Sequence, residues 1–347
     1  MTKVRMIDIA NVVGVSKVTV SKVLSKTSGN NTHVNAETAR KIMDVARQMG
    51  YLPNIAARQL AGQGSRLLGV LIDANSIFNE FPRVVYEEQA ASARGYRVIV
   101  SQCHPDAADV KSYLDDFTAR AVDGLIMHAH AYPGLASNMI EACRRFRHVV
   151  YYDRPDCPES INLNYVDIDL TAGMKKLVRH IADSGRRKIV YFVPYMRPPL
   201  GKHCSFKRRE RGFREAMSEL DLPFDPAFDE KYLFPTEPGL DEIAPLIRDL
   251  VFRERPDAII ARNDEVAAIV LKTLLEMGVK CPDDIAVAGY DNSNFSQYLH
   301  PGLTTVDTKL ALASNAVVDT LIRMIESPGD NPRQTTIEPQ LIIRKST

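Results

Sequence analysis

From residue 67 onward the chain alternates short apolar runs with longer stretches of helical periodicity, and that alternation leaves few folds open. Strands are expected at Leu67–Ile72, Arg97–Ser101, Gly124–Met127 and His148–Tyr152. Helical patterns over Val84–Ala93, Val110–Ala121 and Leu135–Phe146 lie between them. The pattern then starts again. Helices are expected at Thr171–Ser184, Arg209–Leu220, Leu240–Arg253, Glu265–Met277 and Leu310–Glu326. Strands are expected at Lys188–Val193, Ala258–Ala261, Ala286–Gly289 and Thr335–Ile343. Runs that are apolar at nearly every position suit a parallel sheet covered on both faces by helices. Two such rounds give two doubly wound lobes, each with loops at its strand C-termini, and a cleft between them is a natural small-molecule site.

The first 64 residues do not share this pattern. Ile7, Ile9, Ala10 and Val13 mark one short helix, with Asp8 in its first turn where the macrodipole favours an acid. Gly14 suits a turn that needs positive φ, and Ser16 suits the N-cap of the next helix. In that helix Val20, Val23 and Leu24 recur at helical spacing and, with Val15, face inward. Lys17, Val18, Ser21 and Lys22 are then left outside, as on a helix that presents side chains to base edges and phosphates; an ordinary amphipathic surface helix has the same spacing. Asn35 can cap a third helix whose apolar face is Ala39, Ile42, Met43, Ala46 and Met49, ended by Gly50.

Charge follows the same division. The chain of 347 residues carries a net charge of +1, but residues 1–64 hold five Lys and four Arg against three acids. That makes the first part +6 and the remainder −5, which fits a polyanionic partner for the first part alone. No apolar run follows the first basic residues as a secretory leader would, and none reaches the roughly 20 residues of a membrane span. The five cysteines (Cys103, Cys143, Cys157, Cys204 and Cys281) are scattered and lack a CxxC, which fits free thiols in a reducing cytoplasm. No P-loop, GxSxG or HExxH motif is present, so no enzyme and no cofactor is expected. His128 and His130 alternate at strand spacing and so point to opposite faces, which argues against a metal site.

The chain resembles the LacI/GalR family of bacterial transcription regulators. The residues that carry the resemblance begin with Asp8-Ile9-Ala10, Gly14-Val15-Ser16 and Thr19-Val20-Ser21. They continue with Gly50-Tyr51-Leu52-Pro53-Asn54 and Ala57-Arg58-Gln59-Leu60. In the second half they include Tyr152-Asp153-Arg154-Pro155, Asn263-Asp264, Gly289-Tyr290-Asp291 and Leu303-Thr304-Thr305-Val306. The resemblance implies an all-α helix-turn-helix headpiece with a hinge helix, followed by a periplasmic-binding-protein-like α/β core of two lobes with doubly wound parallel sheets. The domains are then 1–52 for DNA binding, 53–64 for hinge helix and linker, and 65–347 for effector binding and dimerisation.

The implied function is sequence-specific DNA binding by a cytoplasmic homodimer, a repressor acting on a near-palindromic operator under control of a small effector. A sugar, sugar acid or sugar phosphate is the first expectation for that effector, with a purine behind it. DNA contacts are expected from Ser16, Lys17, Val18, Thr19, Ser21, Lys22, His33, Asn54, Ala57, Arg58 and Leu60, the last as a minor-groove wedge. Lys22 stands where the family usually has arginine; without the rigid fork it serves as a phosphate contact or a base reader. Effector contacts are expected from Asp73, Phe78, His128, Asp153, Arg209, Asn263 and Asp291, although Asp73, Asp153 and Asp291 also suit plain loop caps. Lys207-Arg208-Arg209 crowds an expected helix start, where cations oppose the macrodipole. Either an anion sits among them, or Lys207 and Arg208 face solvent around one functional Arg209.

Overall fold

The structure is a computed structural model. It describes residues 4–25, 34–51, 64–73, 77–103, 107–128, 136–196, 204–224, 233–234, 240–327, 329 and 332–347. The chain forms two compact units, Met1–Ser65 and Arg66–Thr347.

The first unit contains α1 (Met6–Val13), α2 (Lys17–Ser25) and α3 (Ala36–Gln48). Local chemistry sets each boundary. The Asp8 carboxylate accepts the Arg5 backbone N–H at 2.7 Å, so α1 starts without a polar N-cap side chain. Gly14 ends α1 at φ 79°. Ser16 Oγ accepts the Thr19 N–H at 3.1 Å, and Asn35 accepts the Glu37 N–H at 3.0 Å. Ile9, Ala10, Val20, Ile42 and Ala46 are buried together, with Val15, Val23 and Leu24 packed at their edge. Met43 departs from the expected apolar face and is 46% exposed. One residue advances a helix by about 100°, and that step from Ile42 carries Met43 off the seam.

The second unit opens with β1 (Leu67–Asp73), α4 (Ile77–Ala93), β2 (Arg97–Cys103), α5 (Ala107–Ala119) and β3 (Gly124–Met127). It continues with α6 (Ala136–Cys143), β4 (Val149–Tyr152) and β5 (Tyr165–Ile168). The chain then builds the second lobe from α7 (Leu170–Asp183), β6 (Ile189–Phe192), β7 (Tyr195–Met196), α8 (Cys204–Glu219), β8 (Leu233–Phe234) and α9 (Leu240–Glu254). β9 (Ala258–Ala261), α10 (Asp264–Glu276), β10 (Ala286–Ala288) and β11 (Thr305–Asp307) complete that run. α11 (Leu310–Glu326) returns to pack on α4 and on β3 to β5 of the first lobe. β12 (Gln334–Ile337) and β13 (Gln340–Ile342) close the fold.

The first sheet has the order β12-β5-β4-β3-β1-β2, with every pairing parallel. The second has the order β10-β9-β6, also parallel. The expected strand Thr335–Ile343 is in fact two strands in different sheets. β12 pairs with β5, whereas β13 pairs antiparallel with β11. Pro339 lies between them, and its missing N–H breaks the ladder. The chain end is then stitched into the second lobe. Ser346 accepts the Val287 N–H on its carbonyl at 2.8 Å, and its hydroxyl accepts the Thr304 N–H at 2.8 Å.

α4 contains the expected stretch Val84–Ala93, begins at Ile77 and runs through Pro82. α8 begins at Cys204, so Arg209 lies inside the helix and not at its start. One apolar cluster runs from Leu68 and Tyr152 through Leu177 of α7 and Val317 of α11 to Tyr290, joining the lobes.

α7 and α8 pack so closely that a Cβ at Gly212 would lie 2.5 Å from the Thr171 carbonyl oxygen. Gly212→Ala gains about 1 kcal/mol of helix propensity. Overpacking against backbone costs about 1–3 kcal/mol. The substitution should therefore lower the urea midpoint of the core, and an unchanged or raised midpoint would show that α7 and α8 separate freely.

Candidate functional site

Each lobe ends a strand on the same dipeptide. Tyr152-Asp153 follows the body of β4, and Tyr290-Asp291 lies just beyond β10. Both aspartates have positive φ, 66° and 97°, a region that short polar side chains tolerate better than most. Each is tied to the neighbouring strand: the Asp153 N–H donates to Val166 O, and the Asp291 N–H to Val306 O, both at 2.9 Å. Each carboxylate meets an arginine from a helix. Arg83 of α4 lies 3.5 Å from Asp153, and Arg209 of α8 lies 3.2 Å from Asp291. Each guanidinium also covers the tyrosine before its aspartate. Arg83 sits 4.3 Å from the Tyr152 ring centroid and Arg209 sits 4.2 Å from that of Tyr290. The two lobes thus present the same Tyr–Asp–Arg unit, and Arg83 is near enough to oppose the charge of Arg209.

Several buried polar atoms of these units have no hydrogen-bond partner among the described residues. They include Asp153 Oδ1, Asp291 Oδ2 and Arg209 Nε, and outside the units the hydroxyl of Tyr191 on β6 is likewise without a partner. Leaving such an atom unpaired costs about 1–3 kcal/mol. Fixed acceptors and donors beside aromatic faces match a ligand that carries several hydroxyl or amide groups on a ring.

Behind Asp291 lies Asp264, which is fully buried. Its Oδ1 accepts from Thr305 Oγ1 and its Oδ2 from the Ser293 N–H, both at 2.6 Å. Burial pushes its carboxyl up to about 7, with the Asp291 charge adding to the effect. Glu265 is raised for the same two reasons.

The expected site residues separate into groups. Asp153, Arg209 and Asp291 come together as described. Asn263 is the N-cap of α10: its side-chain oxygen accepts the Val266 N–H at 3.1 Å, so its amide NH2 is what it can offer a ligand. His128 lies deeper than expected. Its Nε2 is 2.9 Å from Glu87 Oε1, both side chains are wholly buried, and its ring stacks on Tyr152 at 4.8 Å. Its ring is held between Glu87 and Tyr152. Asp73 is the last residue of β1 and Phe78 is in the first turn of α4, and their side chains lie outside the described residues.

Arg83 was not among the expected residues. Its signal is the Arg83/Glu87 spacing, which puts both on one helix face once α4 is known to start at Ile77. The Lys207-Arg208-Arg209 run divides: Arg209 is buried against Asp291, Arg208 pairs with Asp167, and Lys207 lies 3.7 Å from Asp156.

In the first unit, Lys17, Val18 and Lys22 are exposed along α2, Val18 by 63%, and Thr19 and Ser21 are half-buried beside them. Ser16 caps the helix below. His33, Asn54, Ala57, Arg58 and Leu60 lie outside the described residues. Among the described residues, no group of His, Cys, Asp and Glu is placed to hold a metal ion, and no helix is long and apolar enough to cross a membrane.

Residues 5–54 match the model of bacterial regulatory proteins, lacI family, and residues 178–347 match a periplasmic binding protein-like domain. The HTH-type transcriptional repressor PurR of Mannheimia succiniciproducens is 27% identical over 343 residues, covering 98% of this chain and 97% of that protein. The lac repressor dimer bound to operator and an anti-inducer has the same fold, with a TM-score of 0.80 at 23% identity over 99% of each chain. A complex of the transcriptional regulator CelR with cellobiose aligns with a TM-score of 0.69 at 21% identity, over 99% of this chain and 100% of that one. These relatives are transcriptional regulators and not enzymes.

The raised Asp264 carboxyl has a definite sign. Between its ordinary value of 3.8 and about 7 the folded chain holds a proton that the unfolded chain releases. Its contribution to stability is therefore complete below that window and is lost as pH rises through it. Asp264→Asn should flatten the fall in core stability across this range in urea titrations. A variant with the parent's slope would show that Asp264 is ionised throughout.

Proposed function

The chain belongs to the lacI family of bacterial regulatory proteins, and from that premise we propose that a small ligand seated between the core lobes sets how tightly the headpiece holds operator DNA. The chain is a DNA-binding transcriptional regulator, and the action proposed for it is repression. The observation that carries the ligand reading is the pair of buried Tyr–Asp–Arg units, with unpartnered atoms on Asp153, Arg209 and Asp291. A polyhydroxylated ring pairs those atoms and packs its apolar face on an aromatic ring. A sugar or sugar derivative is therefore the proposed effector, and the cellobiose complex of a protein with this fold supports it. A purine base is the competing ligand, because of the PurR relative.

The proposed division of labour is 1–52 for DNA, 53–64 for hinge and linker, and 65–347 for ligand and dimerisation in the cytoplasm. Helix-turn-helix dimers bind half-sites related by a two-fold axis, so the operator is near-palindromic and the protein a homodimer. Lys17 and Val18 read bases, by donation to guanine and by contact with a thymine methyl. Ser16, Thr19, Ser21, Lys22 and His33 hold the backbone or adjoining bases. Asn54, Ala57, Arg58 and Leu60 form the hinge contacts. A stretch as short as 54–60 is marginal as a helix in water, so its state is set by DNA and by the partner subunit. A ligand that fixes the angle between lobes biases that state, and coupling of about 1–3 kcal/mol changes operator affinity roughly 5- to 150-fold.

A thermal-shift screen of sugars, sugar acids, sugar phosphates and purine bases identifies the ligand, because a specific binder raises the melting point by mass action. Asp291→Asn should abolish that shift and the ligand's effect on operator binding, while the protein still folds. A ligand response equal to the parent's would remove Asp291 from the site.

On DNA, Lys17→Ala and Val18→Ala should relax the preference at single base pairs by about 1–3 kcal/mol. Leu60→Ala should weaken all operators together. Gel shifts on operator variants distinguish the two patterns, and a uniform loss in Lys17→Ala would reassign it to phosphate.

A further inference from the structure

Beside the cleft, a crevice of about 570 Å³ lies between the two lobes, and its lining is separate from the Tyr–Asp–Arg units. One wall is the loop after β4, with Arg154 and Asp156; the other is α8, with Lys207, Arg208 and Arg211. Its floor is the crossover from β5 into α7, from Asp167 to Thr171.

Four cations and three carboxylates line this space, and the carboxylates are committed. Asp169 caps α7, accepting the Ala172 N–H at 2.9 Å. Asp167 takes the Arg208 guanidinium and the Arg154 backbone N–H, and burial pushes its carboxyl up while Arg208 opposes that. Asp156 is 3.7 Å from Lys207. Arg154 makes its side-chain hydrogen bond to a neutral group, Ser160 Oγ, at 3.3 Å, and pairs with no carboxylate among the described residues. Arg211 donates to Thr171 Oγ1 at 3.0 Å and, among the described residues, has only the exposed Glu215, 3.7 Å away, as an acidic partner. Two guanidinium groups from opposite lobes therefore border a polar space into which the N-terminus of α7 opens. Guanidinium forks match phosphate geometry, and a helix N-terminus adds favourable partial charge.

We infer that this crevice is a second ligand site, which takes a phosphate dianion clamped between Arg154 of the first lobe and Arg211 of the second, with Lys207 beside it. The cleft ligand and this anion occupy different walls of the same lobe junction, and the inference stands whatever fills the cleft. Asp153/Arg154 and Arg208/Arg209 are adjacent in the chain, one member of each pair lining the crevice and the other belonging to a Tyr–Asp–Arg unit.

The test is calorimetric titration of the full chain at constant ionic strength, with inorganic phosphate in one arm and glucose 6-phosphate in the other. Binding of both is expected if the phosphate group alone is recognised, and binding of the ester only if an organic phosphate is the occupant. Arg154→Gln/Arg211→Gln should weaken either by at least tenfold, and Asp291→Asn should leave it unchanged. Both arginines are exposed, so the double variant should melt with the parent; if it does not fold, each single substitution carries the test with a partial loss. No heat beyond a chloride control in both arms, undiminished binding in the arginine variants, or loss in Asp291→Asn would each overturn the assignment.

Discussion

Two arginine–aspartate contacts organise the core. Removing a charge from water costs several kcal/mol, and a buried ion is tolerated only with a well-placed partner. Each lobe meets that requirement in the same way. A strand-end aspartate in a left-handed turn is fixed by a backbone bond to the next strand and faces a helix-borne arginine lying on the preceding tyrosine. The position of α4 in one lobe and α8 in the other is thereby set by charge as well as by apolar contact. Gly212 lets α8 approach α7 closely enough for Arg209 to reach its place.

The repetition carries a physical meaning beyond ancestry. Each lobe pairs a strand-end carboxylate with a helix-borne guanidinium, so charge balances within each lobe before any ligand arrives. What remains unmatched is directional: buried lone pairs on Asp153 and Asp291 and the Nε–H of Arg209, which have no partner among the described residues. A ligand is then recognised by geometry more than by net charge. Asp264 supports this arrangement from behind as a hydrogen-bonded carboxyl wedged beneath Asp291.

Much of this was legible in the sequence, and the gaps have causes. The alternation of apolar runs and helical stretches gave both lobes, and α11 falls where its periodicity places it, over Leu310–Glu326. β5 and β11 escaped notice because neither is a continuous apolar run: Asp167 interrupts Tyr165–Ile168, and Thr305–Asp307 holds a single aliphatic residue. α4 covers the expected helical stretch Val84–Ala93 and extends it back to Ile77, but Arg83, just outside that stretch, was not singled out. Asp153, Arg209 and Asp291 were chosen by resemblance, and the Tyr–Asp step that repeats at 152 and 290 was visible without its meaning. Asn263 and His128 illustrate a different limit. A sequence position at a strand end does not reveal whether the side chain is already engaged by a helix cap or by a buried acid.

The last strands have a consequence for how the molecule is made. β12 is the outer strand of one sheet, β13 pairs beside the other, and Ser346 is bonded to Val287 and Thr304. Neither lobe is complete until residues 334–347 are in place. Among the described residues, the buried apolar cluster of the three-helix unit lies within the first 46 positions, and it can close while the ribosome is still working. At about 5–20 residues per second, the rest of the chain takes roughly 15–55 s to emerge. A nascent chain therefore owns its finished three-helix unit well before it owns the machinery proposed to govern it.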